Sequence, residues 1–165
     1  MLRPSIKNKF LSPETITFLG TWLLLMTAGR DKFFRDPGTF SHLAWGDHLL
    51  SGKGLIHSDI YSFTFHGQPW IFQQWLADCL ISVIHRFSGF EGLLLVAATS
   101  FSLLNAWLLN RLLKAGIHFS AALLIVSLFT LAGAHHYHVR PHVASILFLA
   151  FIFSRFCDFE AGRLK

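Results

Sequence analysis

The chain has 165 residues, room for one ordinary domain; 53% of them are hydrophobic and only 14% charged. A soluble domain carries about 25% charge, so this composition excludes a disordered chain, a collagen, a disulfide-rich miniprotein and a highly charged tail. A membrane protein remains. The net charge of +5 does not call for nucleic acid. Arg3, Lys7 and Lys9, then Arg111 and Lys114, then Arg155, Arg163 and Lys165 flank apolar runs, where the positive-inside rule puts cytoplasmic cations.

The first apolar run, ITFLGTWLLLMTA at 16–28, extended by Phe10 and Leu11, predicts a first span at about 14–29. A signal peptide has the same charge-then-apolar grammar, but the following GRDKFFRDP contains no small-residue cleavage site. Residues 30–91 read as a long outer loop. Within it, TFSHLAWGDHLL at 39–50 places Phe40, Leu43, Ala44 and Leu50 on one face, which predicts an amphipathic helix lying in the interface. Gly52 and Gly54 end it. Ile60, Phe63 and Phe65 are extended-chain formers before an HGQP turn. Trp70, Phe72 and Trp75 form an aromatic belt of the kind found at the lipid boundary.

The run at 75–87 is short for a span and predicts an interfacial or re-entrant helix. Further spans are expected at 92–110, 119–136 and 142–158. The expected fold is therefore an all-α, polytopic transmembrane bundle of about four spans with interfacial helices in its first outer loop. With the N-terminus cytoplasmic, this layout gathers most cations inside and places HHYHVRPH at 135–142 on the same outer face as the acidic loop. Asn105, within a span, is expected to hydrogen-bond between helices. Cys79 and Cys157 read as small hydrophobes.

That shared face brings Asp36, Asp47 and Asp59 to one cleft with Arg140 and His142. A carboxylate beside an arginine near apolar walls makes a base and an anion holder. The plainer readings are a turn at Asp36-Pro37-Gly38, a solvated helix position for Asp47 and a cap for Asp59. The ten histidines invite a metal, but none is expected: no set with zinc-like spacing is in register, and Pro141 separates His138 from His142. Phosphate-binding glycine loops and nucleophile elbows are absent from the sequence.

The stretch DPGTFSHLAWGDHLLSGKGLIHSDIYSFTFHGQPWIFQQWLADCL, with the later RPHVASILFLAFIF, resembles the first outer loop and a later motif of bacterial C-type glycosyltransferases. These are polytopic enzymes that use polyprenyl-phosphate sugars. The likeness runs over about residues 14–157. It implies a chain of the bacterial inner membrane, equivalent to the N-terminal portion of a larger architecture. It also implies Asp36 as the catalytic carboxylate, and His42, Asp47, Asp59, Arg140 and His142 as residues around the lipid-linked sugar donor. Ser41, His48 and Gln74 stand where the pattern has Trp, Trp and Glu. The resemblance implies no particular cofactor, and a divalent cation beside the phosphate is compatible with the chemistry. Two alternatives accompany this reading: a non-catalytic or split-transferase subunit that pairs with a second membrane subunit, and a small transporter component.

Overall fold

The computed structural model describes residues 12–164. Arg3, Lys7, Lys9, Phe10, Leu11 and Lys165 lie outside the described residues. Among the described residues there are five α-helices: α1 (Pro13–Met26), α2 (Gly38–Leu50), α3 (Trp75–Lys114), α4 (Phe119–Ala132) and α5 (His142–Glu160). Short 3-10 turns cover Arg30–Phe34 and Gly133–His136. Among the described residues there is no strand beyond one isolated bridge, Ser58 to Pro69.

Among the described residues, three helical segments are long and apolar enough to cross a membrane: Trp75–Lys114, Phe119–His136 and His142–Glu160. In the last two, only 11% and 6% of the most apolar window is buried inside the molecule. Side chains such as Leu124, Leu131, Phe148 and Phe151 point outward, as expected of helices bathed in lipid rather than water. The expected first span is the exception. Ser12 caps α1 by accepting the Thr15 N–H at 3.2 Å, with Pro13 in the first turn. The helix then runs 14 residues, short of the ~20 that a bilayer needs.

The expected helices at 75–87 and 92–110 are consecutive pieces of α3. Gly89 divides them, with φ 62° and ψ −160°, a left-handed conformation that suits glycine and breaks the helical ladder. Each piece packs on a different partner. Along the second piece, Trp22 donates to Thr99 at 3.1 Å and Arg30 pairs with Glu91. The partner number falls as the chain advances, so α1 and this piece run antiparallel. Along the first piece, His42 meets Asp78 and Asp47 meets Ser82, so α2 lies parallel to it.

The buried face of α2 is not the expected one. Thr39, His42, Leu43 and Gly46 are buried, whereas Phe40 is 50% exposed and Leu50 38%. Only Leu43 belongs to both faces. The reason is close approach: a Cβ at Gly46 would collide with the Asp78 carbonyl and the Ser82 side chain. Helix–helix contact centred on a glycine turns the neighbouring polar residues inward.

The core sits where the turn after α1 meets α3. Phe33, fully buried, lies 6.2 Å from both the Phe101 and Tyr137 rings, which are 4.5 Å apart. Asn105 donates to Thr130 at 2.9 Å, the expected bond between α3 and α4. Residues 57–70 form a small loop held by Trp70 N–H to the His57 carbonyl at 2.9 Å and Asp59 N–H to Gln68 at 2.8 Å. Ile60, Phe63 and Phe65 are exposed within turns and not in a strand, because the Asp59 side chain bends the chain there.

Candidate functional site

The segment between α4 and α5 is stitched to the turn before α2. The Val139 N–H donates to Phe33 at 3.3 Å. Thr39 donates to the Val139 carbonyl at 3.0 Å, and His138 donates from Nδ1 to Lys32 at 3.0 Å. These bonds deliver Arg140 to Asp36, and the two form an ion pair. Gly38 makes the approach feasible, since a Cβ there would strike the Arg140 guanidinium. Its N–H also donates to the other Asp36 oxygen at 3.1 Å. Burial pushes the Asp36 carboxyl up, but Arg140 and the Gly38 N–H outweigh burial and hold it below the usual carboxylate range.

Beside this pair lies a cavity of about 620 Å³, lined by His42, Trp45, Trp70, Phe72, Gln74 and Arg140 among others. Trp45 packs its ring 5.7 Å from Trp70 and 6.1 Å from Phe72. His42 carries a partner behind it: Nδ1 lies 2.7 Å from the fully buried Asp78. The second Asp78 oxygen is buried without a partner.

On its other side Arg140 lines an apolar groove of about 190 Å³ between α3 and α5, walled by Leu80, Ile84, Ala97, Val143 and Leu147. Arg140 thus lines both a polar, aromatic chamber and an apolar slot. An amphiphile with its anionic group at the junction fits such a place.

The remaining expected site residues do not line the Arg140 cavity themselves. Asp47 accepts from Ser82 at 2.5 Å and from Arg86 at 2.9 Å; Ser82 first, then Arg86, hold its carboxyl below the ordinary range. It joins α2 to α3 and does not line the Arg140 cavity. Asp59 accepts from the Ser62 hydroxyl at 2.5 Å and from the N–H groups of Ser62 and Tyr61 at 2.8 and 2.9 Å. Those bonds, Ser62's first, lower its pKa. The Asp59 carboxylate organises a turn and lines an adjoining recess of about 250 Å³ that shares Ser41, Trp45 and Trp70 with the Arg140 cavity. His142 donates from Nε2 to the His136 carbonyl at 2.8 Å, away from the cavity. Among the described residues, no three His, Cys, Asp or Glu side chains gather as a metal-ligand set.

Sequence reasoning missed Asp78, Ser82 and Arg86. The signal was present, because an ionisable residue inside an apolar run such as WLADCLISVIHRF marks a buried partner or a site. No protein-family model, curated protein or solved structure matches the chain.

Proposed function

We propose that the chain is a membrane-embedded, glycosyltransferase-like protein that transfers a sugar from a polyprenyl-phosphate donor at the outer face of a bacterial inner membrane. The observation that carries this reading is Arg140, shared between the aromatic chamber and the apolar groove. The donor phosphate would sit on Arg140, its first isoprene units in the groove, and its sugar against Trp45 and Trp70. Arriving phosphate would exchange with Asp36 for Arg140. The freed carboxylate would take the acceptor hydroxyl proton as that oxygen bonds to the anomeric carbon. The bond from that carbon to the phosphate oxygen breaks, its electron pair goes to the phosphate, and Arg140 stabilises the charge. His42, held by Asp78, would position the sugar.

The same reading keeps four spans, about 14–29, the second piece of α3, α4 and α5, with α2 and the first piece of α3 at the outer interface and the N-terminus cytoplasmic. α1 is the 14-residue helical part of the first and does not by itself cover the bilayer. The antiparallel packing of α1 against α3 and the collection of Arg111, Lys114, Arg155 and Arg163 at the far end support this layout.

The test is reconstitution in lipid nanodiscs with a panel of polyprenyl-phosphate sugars, measuring donor binding and release of polyprenyl phosphate. Asp36→Asn is expected to lower transfer by about 100-fold or more with donor binding kept, and Arg140→Gln to weaken donor binding itself. Failure of every donor to bind, or full transfer by Asp36→Asn, removes the proposal. Binding without turnover in the wild type would favour a non-catalytic subunit. Orientation is read with single cysteines at Thr64, Ala115 and Gly162 in a background lacking Cys79 and Cys157. An impermeant reagent applied to intact cells should label Thr64 alone.

A further inference from the structure

At the far end of the bundle, α3 and α5 close a second recess of about 370 Å³. Its lining includes four cations, Arg111, Lys114, Arg155 and Arg163, and one carboxylate, Asp158. Arg111 donates to both Asp158 oxygens at 2.9 Å. Arg163 donates to the same side chain at 2.8 and 3.0 Å. The carboxylate neutralises one charge and fixes two guanidinium groups, leaving a recess with three net positive charges.

Arg111 also lines an apolar groove of about 430 Å³ that runs between α3, α4 and α5 past Trp107, Phe129, Leu149 and Phe153. The groove lies on helices whose outer faces are apolar and exposed. Headgroup-sized cationic space therefore opens directly into acyl-chain space. α5 has 19 residues, about 28 Å at 1.5 Å per residue. This places the recess one hydrocarbon thickness (~30 Å) from Arg140, at the depth of the opposite headgroup layer.

We propose that this recess and groove hold an anionic phospholipid of that leaflet, its phosphate among Lys114, Arg155 and the two fixed arginines, and one acyl chain in the groove. Charge complementarity selects the headgroup, and continuity with the groove selects a lipid over a soluble phosphate. The inference is independent of sugar transfer.

The purified full chain in detergent would be titrated with phosphatidylglycerol and chain-matched phosphatidylcholine, and retention read by native mass spectrometry. Phosphatidylglycerol should be retained over phosphatidylcholine. Lys114→Gln with Arg155→Gln leaves the Arg111–Asp158 pair intact and should weaken phosphatidylglycerol alone, by roughly fivefold per cation removed. Asp158→Asn frees Arg111 and Arg163 and should strengthen phosphatidylglycerol over phosphatidylcholine by roughly fivefold, a gain that misfolding does not produce. Equal retention of the two lipids by the wild type overturns the proposal, as does unchanged selectivity in the double variant. If the double variant loses both lipids alike, absence of a gain in Asp158→Asn overturns it. Displacement of the lipid by millimolar glycerol 3-phosphate would assign the recess to a soluble phosphate instead.

Discussion

The two ends of the bundle each place an arginine at the mouth of an apolar groove, yet they are built differently. At one end Arg140 has a single carboxylate partner, Asp36, and sits beside polar groups buried between helices: His42, Asp78 and Ser82. At the other, Arg111 shares Asp158 with Arg163 in a recess that also holds Lys114 and Arg155. Charge near balance, with donors and acceptors fixed by packing, suits selection of one ligand in one pose. Surplus charge on long, exposed side chains suits a headgroup held by attraction more than by shape. The physical difference lies in the neighbours: His42, Asp78 and Ser82 are buried, where each polar group needs a specific partner, whereas Lys114, Arg155 and Arg163 are exposed, where charges are screened and tolerant.

Substitutions graded by this difference should separate the ends. The largest loss is expected from Gly46→Val. Its side chain meets the Asp78 backbone carbonyl and Ser82 and must push α2 off α3, at a cost of about 3 kcal/mol. Next comes Asp78→Ala, which strips the buried His42 of its partner and should cost about 2 kcal/mol. At the opposite end, Arg111→Gln should cost about 1 kcal/mol or less, because its pair with Asp158 is partly solvated. Thermal unfolding followed by thiol-reactive dye at the free, half-buried Cys79 and Cys157 ranks the three. A cost at Arg111 equal to that at Asp78 would break the comparison.

The smallest effect is in pH. Asp36 and Asp47 both lie below the ordinary carboxylate range. Their contribution to stability is therefore complete above that range and is lost as pH falls through their lowered folded values. Acid should loosen the Arg140 end, seen as a change in Trp45 and Trp70 fluorescence in a chain lacking the other tryptophans. Asp47→Asn should remove part of that acid response, a modest part because its ion pair with Arg86 is about half exposed. An acid response that Asp47→Asn leaves whole would assign it to Asp36 and Arg140.

The helices were legible to different degrees, for local reasons. Uniformly apolar runs announce α4 and α5, and Gly52 marks the end of α2 with φ 77°. The face that α2 buries was hidden, because Gly46 shows as an absence of side chain and says nothing of the backbone it meets. The four-span expectation put Asp36, Asp47 and Asp59 on one side with Arg140, and of these Asp36 is the one that pairs with it. The partner of His42 did not, because Asp78 sits in an apolar run whose helical face only packing reveals.

Composition and apolar run length, then, determined by themselves a helical chain with lipid-facing segments and its cations gathered at the ends of those segments. Both follow from transfer free energy, which acts on each residue nearly independently. Tertiary structure alone decided which carboxylate serves which cation, that Asp59 spends its oxygens on its own turn, and that Arg140 and Arg111 each open onto a groove. Those outcomes depend on angstrom-scale approach between helices far apart in sequence, set by single glycines and by the need of every buried polar group for a partner.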